Sequence, residues 1–217
     1  LRRRGVAARA HRDVRLKGLA VIRSRAGFAP SPSTTLTEFA SGIWYPMSGG
    51  GTTNSTGQGN GTLKAFPFQF HQPGVINALA AAWTTPGQAG STLRLGVYAD
   101  TGTGLPGALL LDAGAKDTTG NTVIQDWTGL SLAIRANTRV WFAAVIQGAP
   151  STQPNVYQIT TSPPTVLALT TDATLPPVGL GQRVSLVHAD TVAADLPATF
   201  NPTGNSGSIT RILFKLA

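Results

Sequence analysis

The triplet Asp100-Thr101-Gly102 is the first candidate for chemistry, because some proteases carry their catalytic carboxylates in this sequence. That reaction requires two such carboxylates that share a proton. The chain has one copy, so catalysis would need a symmetric dimer. The flanking residues, Ala99 before the triplet and Thr103-Gly104 after it, indicate a strand that ends in a glycine-rich turn. We therefore expect Asp100 to shape a hairpin turn.

The other reactive residue types are scattered along the chain. The three histidines, His11, His71 and His188, lie far apart and match no metal-binding spacing, so surface or structural roles are expected. The chain has no nucleophile elbow, no phosphate-binding loop and no dinucleotide fingerprint. The prediction is therefore a protein that is not an enzyme and has no catalytic, metal-binding or cofactor-binding residues.

Two sets of residues leave alternatives open. A pair of carboxylates could hydrolyse glycosides if two of Asp112, Asp117 and Asp126 met in the folded chain. Tryptophans could stack on sugars, although at strand positions they usually fill the core. Trp127 precedes a Thr-Gly turn and is expected to be partly exposed, so it is the candidate ligand surface. The other three, expected in the core, are Trp44, Trp83 and Trp141.

The first 25 residues hold the whole charge imbalance of the chain. They contain nine Lys or Arg residues and one acid, whereas residues 26–217 contain eight basic and eight acidic residues. The net charge of +8 therefore describes a cationic arm on a neutral body. Such an arm indicates attachment by charge complementarity. The candidate docking residues are Arg2, Arg3, Arg4, Arg9, Arg12, Arg15, Lys17, Arg23 and Arg25.

Residues 1–29 are predicted to form this arm, either extended or partly helical. Arg9, Arg12 and Arg15 have a helical spacing, but an isolated helix of this length is marginal in water. No aromatic residue precedes Phe28, so base stacking on nucleic acid lacks support. A lipid surface would require more bulky apolar residues. Docking onto an acidic protein surface is the favoured interpretation, with nucleic acid binding and an unengaged tail as alternatives.

The rest of the chain has the composition of an all-β domain. Charged residues make up 12%, and Gly and Pro together number 40 of 217 residues. A weakly charged, turn-rich chain is typical of antiparallel sandwiches and barrels. There is no cysteine, and no apolar run approaches the about 18 residues of a membrane-spanning helix. We predict a stiff linker over residues 30–41 and an antiparallel, jelly-roll-like β-sandwich over residues 42–217.

Turn residues divide this region into short strands. The continuous apolar run at 139–146 predicts a central strand buried on both faces. Phe66, Phe68 and Phe70 alternate with other residues and predict one aromatic face. Residues 48–62 offer no side chain suited to a core and are predicted to form a surface loop. Further strands are predicted over 41–45, 64–71, 75–84, 93–99, 108–112, 122–127, 130–134, 156–160, 166–169, 184–188 and 209–216.

Several segments resemble the β-sandwich module of bacteriophage minor tail and tail-fibre proteins. They are Gly61–Phe68 (GTLKAFPF), Leu93–Asp100 (LRLGVYAD), Gly104–Gly114 (GLPGALLLDAG), Val140–Val145 (VWFAAV) and Leu196–Phe200 (LPATF), followed by a terminal strand. The resemblance covers roughly residues 42–217 and implies the fold of this module. It brings no fixed catalytic motif.

The resemblance implies a virion structural protein in the extracellular particle. We expect it to be tail-associated or fibre-like, anchored to other virion proteins through residues 1–29, with its body displayed towards a host surface, where a glycan is the candidate ligand. Self-association is expected, with a trimer as the expected symmetry. The alternatives are a capsid decoration or head-fibre protein, a secreted carbohydrate-binding β-sandwich, and a hydrolase with dispersed carboxylates.

Overall fold

The computed structural model describes residues 39–47, 53–120, 123–159 and 185–217, which belong to one compact unit, Glu38–Ala217. These residues form strands and turns, without a helix. The strands among them are β1 Trp44–Pro46, β2 Thr53–Gly57, β3 Thr62–Phe70, β4 Gly74–Thr85, β5 Thr92–Asp100, β6 Pro106–Asp117, β7 Val123–Ile134, β8 Thr138–Gln147, β9 Asn155–Ile159, β10 Ser185–Thr191, β11 Pro202–Ser206, β12 Ile209–Thr210 and β13 Leu213–Leu216.

The strands form two antiparallel sheets. The seven-stranded sheet has the order β1-β13-β4-β9-β12, with β2 paired to β9 and β7 paired to β4. The six-stranded sheet has the order β11-β10-β3-β8-β5-β6. The predicted all-β, antiparallel fold is confirmed, and the two facing sheets are consistent with a sandwich. The predictions for the arm at 1–29 and for a strand at 166–169 lie outside the described residues.

The central strands of the six-stranded sheet, β3, β8 and β5, are largely buried on both faces. Side chains alternate across a strand, so Phe66 and Phe142 face the seven-stranded sheet while Ala65 and Trp141 face the opposite way. In β8 every residue from Val140 to Gln147 is buried. The predicted central strand is therefore confirmed, and so is the aromatic face of β3.

Residues 192–200, here called the strap, cover the second face of this sheet. Leu196 and Phe200 of the strap pack on the side chains of Tyr98 and Trp141. Main-chain hydrogen bonds hold both ends of the strap, because the Val192 amide donates to the Gly61 carbonyl at 2.9 Å and the Phe200 amide donates to the Gly107 carbonyl at 2.9 Å. The strap thus gives the six-stranded sheet a core of its own on its outer side.

The prediction that residues 48–62 form a loop without a core anchor is wrong over the part that the structure describes. Residues 53–57 form β2 and pair with β9 along their whole length. Gln58 is buried, and its amide group donates to the carbonyls of Thr62 and Ala144 and accepts from the Thr210 hydroxyl at 2.8 Å. A polar side chain anchors this segment because it satisfies main-chain groups that water cannot reach.

Some strand boundaries also differ from those predicted. The segments 122–127 and 130–134 are joined in the single strand β7, with a bulge near Gly129. The terminal strand divides into β12 and β13 at Arg211-Ile212. β11 was not predicted, because its sequence PTGNS has no apolar alternation and its pairing depends on β10.

Candidate functional site

Asp100 shapes the turn between β5 and β6, as its sequence context predicts. One carboxylate oxygen accepts hydrogen bonds from the amides of Gly102 and Gly104 at 2.8 and 3.4 Å, and the other accepts from the indole of Trp141 at 2.9 Å. Both glycines have positive φ angles, 86° and 81°, which side chains disfavour. Both carboxylate oxygens of Asp100 therefore accept hydrogen bonds that hold the hairpin turn and the Trp141 indole. The expectation that Asp100 shapes a hairpin turn is confirmed.

The three carboxylates considered for glycoside hydrolysis have separate surroundings. Asp112 accepts from the Arg94 guanidinium and from the Leu196 amide of the strap. Asp117 caps a turn by accepting from the amide and hydroxyl of Thr119, and these bonds lower the pKa of the Asp117 carboxyl. Asp126 is exposed on β7. Asp112 thus holds the strap, and Asp117 holds a turn.

His188 has a structural role within the strap region. Its Nδ1 accepts a hydrogen bond from the Asn201 amide at 2.9 Å, and its ring packs edge-on against Phe200. Burial lowers the pKa of this histidine, an effect that the nearby Asp190 carboxylate opposes. His71 is exposed, and His11 lies outside the described residues. The expectation of surface or structural roles is confirmed for His71 and His188.

Trp127 is buried, so the expectation that it is partly exposed is wrong. Only 3% of its surface is accessible, and its indole donates to the Gly114 carbonyl at 2.9 Å. It faces inward because it pairs with Leu79 of the core. Trp83 and Trp141 are also buried, as expected, whereas Trp44 is half-buried beneath the Lys215 amine at 5.1 Å from its ring centre. Trp127 therefore offers no ligand surface.

The nine basic residues assigned to docking, Arg2 to Arg25, lie outside the described residues, so their role stays a prediction. The described residues hold no group of three or more His, Cys, Asp or Glu side chains placed to bind a metal ion. Nor do they include a helix with the length and apolarity of a membrane span.

Three residues in register on the solvent side of the seven-stranded sheet form the best candidate for a contact surface. Ile124 of β7 pairs with Ala82 of β4. Trp83 pairs with Val156, and both point into the core, so the neighbouring residues Ala82 and Tyr157 point outward side by side. We call Ile124, Ala82 and Tyr157 the outer row.

The outer row is apolar and accessible. Ile124 is 68% exposed and Tyr157 is 37% exposed, while Ala82 between them is half-buried. Asp126 lies one row further along β7, on the same side, and adds a carboxylate beside the apolar residues. This arrangement suits non-covalent contact with a flat partner, because it combines an aromatic ring, an aliphatic side chain and a polar rim.

The outer row was not predicted from the sequence. Ile124 and Tyr157 are 33 positions apart, and only the pairing of both strands with β4 brings them into one row. The signal in the sequence was the series Ala78, Ala80, Ala82, since small residues at alternate positions of a strand mark one face. Of these three, Ala78 and Ala80 are buried, so the accessible surface is at the Ala82 end.

Comparison with known proteins gives no relative, because neither a family model nor a curated protein matches the chain. The resemblance to phage tail modules therefore stays a prediction from the quoted segments.

Proposed function

We propose that the protein is a non-enzymatic structural component of a virion. In this proposal residues 1–29 fix it to other virion proteins, and the body, a jelly-roll-like β-sandwich, is displayed towards the host surface. The tail is the proposed location, with the capsid as the alternative. The protein acts by holding surfaces together and performs no chemical step.

The observation that carries this proposal is the outer row. Large apolar side chains that stay exposed in a folded protein and lie in one row favour a partner that covers them. The ring of Tyr157 can stack on the apolar face of a sugar, and the Asp126 carboxylate can accept hydrogen bonds from sugar hydroxyls. A host-surface glycan is therefore the proposed ligand of this row.

The hydrogen bonds and the ion pair that three of the described carboxylates make support a structural function. Asp100 and Asp117 hold turns, and Asp112 joins Arg94 to the strap. Carboxylates that are engaged in this way stabilise the body, whose charged residues are few. Such a body, carried on a cationic arm, separates the part that attaches from the part that is displayed.

The ligand proposal is tested with a glycan array and with a host adsorption assay. Tyr157→Ala is expected to lose glycan binding and slow adsorption, whereas Ile43→Ala, at an exposed residue outside the outer row, is expected to retain both. Equal binding by both variants, or no glycan bound by the wild-type chain, would contradict the ligand proposal.

The attachment proposal has its own test. Replacing the nine basic residues of the arm by Gln in the full chain is expected to abolish incorporation into particles while the body stays folded. Antibody labelling of wild-type particles in the electron microscope then distinguishes tail from head. Normal incorporation of the Gln variant would show that the arm charges do not attach the protein.

A further inference from the structure

The strand β7 lies at an edge of the seven-stranded sheet. It pairs with β4, and among the described residues no second strand pairs with it. The pairing is regular from Val123 to Thr128, before the bulge that begins at Gly129. An edge strand presents unpaired N–H and C=O groups, which form a template for another strand.

The other edges of the two sheets are protected in ways that β7 is not. β6 has three register shifts and carries Lys116, and its residue Leu109 donates to the Ala198 carbonyl of the strap. β1 has three residues and ends at Pro46, and β11 has five residues and begins at Pro202. β2 and β12, which among the described strands pair only with β9, are short as well, with five and two residues. Short strands, bulges, lysine and proline all hinder edge pairing.

β7 has twelve residues and contains no Pro, Lys or Arg. Asp126 is its one charged residue, and Ile124 beside it is the most exposed of the large apolar side chains in the described part of the chain. A long, weakly charged edge with an exposed apolar side chain is the pattern that strand pairing favours.

We propose that β7 pairs in antiparallel orientation with β7 of a second copy of this chain. The pairing would extend the seven-stranded sheet across a two-fold axis and cover Ile124 on each copy. A second copy fits because residues 26–217 carry no net charge, so two bodies approach without net repulsion. Like charges directly opposite one another destabilise a pair, so the register should offset Asp126 from its equivalent.

The proposed strand pairing determines the symmetry of the assembly. An antiparallel pair of identical strands has two-fold symmetry and closes on itself, so the product is a dimer. This differs from the trimer expected from the sequence. The inference does not depend on the proposed glycan contact. Ile124 belongs to the outer row, but the pairing is formed by the main chain of β7 and is tested at Ile124, whereas the glycan contact is tested at Tyr157.

The test uses the full chain in light scattering and sedimentation over a series of protein concentrations, at an ionic strength that screens the arms. The expected result is a monomer–dimer equilibrium. Hydrogen exchange is expected to slow at the amides of Val123–Thr128 as the concentration rises. Ile124→Lys should remain monomeric, because lysine on an edge opposes pairing. Leu110→Lys, at an exposed residue of β6, should dimerise like the wild type.

Three results would overturn the proposal. They are a monomer at every concentration, a trimer, and a dimer that persists in Ile124→Lys. Circular dichroism checks that this exposed-site variant is folded. If it is not, the concentration dependence of hydrogen exchange in the wild-type β7 decides, since protection elsewhere with none at Val123–Thr128 contradicts the pairing.

Discussion

The amine of Lys64 lies 3.3 Å from the hydroxyl of Ser208, on the side of β3 that faces the core. Only 8% of the Lys64 surface is exposed. Burial lowers the pKa of this amine, because the charged form loses hydration that one hydroxyl does not replace. Lys64 thus opposes folding while it is charged.

Stability should therefore rise with pH as the solution approaches the ordinary lysine pKa of 10.5. Between the lowered pKa of the folded state and 10.5, the unfolded chain binds more protons than the folded one, so raising the pH favours folding. Below the folded-state pKa of Lys64 both states are protonated and its contribution is constant. Urea denaturation at a series of alkaline pH values measures the effect.

The Lys64→Met variant should lose this alkaline rise and be more stable than the wild type at neutral pH. Met has a similar length and fills the same space without a charge to desolvate. Lys116→Met is the matched control, since Lys116 lies near the Trp127 ring on a half-buried site and its variant should keep the rise. A Lys64→Met variant that is less stable at neutral pH would show that the amine has a favourable partner.

Acid should weaken the body through His188. Protonation of Nδ1 removes the acceptor of the Asn201 amide, and burial lowers the pKa of His188 below its ordinary value of 6.5. The unfolded chain therefore takes up the proton first, so stability falls as the pH drops from 6.5 to the folded-state pKa and then levels off. Thermal melts between neutral and acidic pH follow this loss.

The His188→Asn variant separates this effect from general acid denaturation. The side-chain oxygen of Asn can replace Nδ1 as acceptor and does not titrate. Its stability should thus depend less on pH in this window, whatever its stability at neutral pH. His71→Asn, at an exposed residue, should retain the wild-type dependence. Identical pH profiles for all three proteins would exclude His188 as the cause.

Replacing Trp127 should damage the core and not a binding surface. Trp127→Ala is expected to lower the free energy of unfolding by about 3–5 kcal/mol, because it leaves a cavity beside Leu79. Trp44→Ala, at the half-buried tryptophan, should cost clearly less. Urea denaturation compares the two variants. Equal losses would mean that the partly exposed indole packs as well as the buried one.

The sequence was most informative where one segment carries the whole signal. The run at 139–146 specified a strand buried on both faces, because every position from Val140 to Ile146 is apolar. The alternation of Phe66, Phe68 and Phe70 specified the core side of β3. Asp100 was predictable because the glycines that it binds follow within four positions.

Features that depend on distant residues could not be predicted from the sequence. Gln58 is buried through its hydrogen bonds with Ala144 and Thr210. These partners lie 86 and 152 positions further along the chain, so the local sequence did not reveal them. Trp127 is buried because the register of β7 on β4 turns it inward. The outer row requires the pairings of two strands at once. For Gln58 and Trp127 the local sequence suggested exposure, and tertiary pairing buried both side chains.

Gly96→Ala should loosen the strap. Gly96 lies in β5 beneath Leu196, and a methyl group there would overlap the Leu196 side chain and lie 2.8 Å from the Leu111 carbonyl. The main chain of the adjacent strand cannot yield easily, so we expect a loss of about 1–3 kcal/mol in the free energy of unfolding. Hydrogen exchange should increase at the amides of Leu109 and Phe200, which pair with or belong to the strap.

The Leu196→Ala background provides the control for this substitution. It removes the side-chain overlap and leaves only the Leu111 carbonyl against the new methyl group. The cost of Gly96→Ala should therefore be smaller in the Leu196→Ala background than in the wild type, a coupling that a double-mutant cycle measures. Gly102→Ala, at a glycine with open space around it, should affect its own turn without changing exchange in the strap. Additive effects of Gly96→Ala and Leu196→Ala would show that the strap does not rest on Gly96.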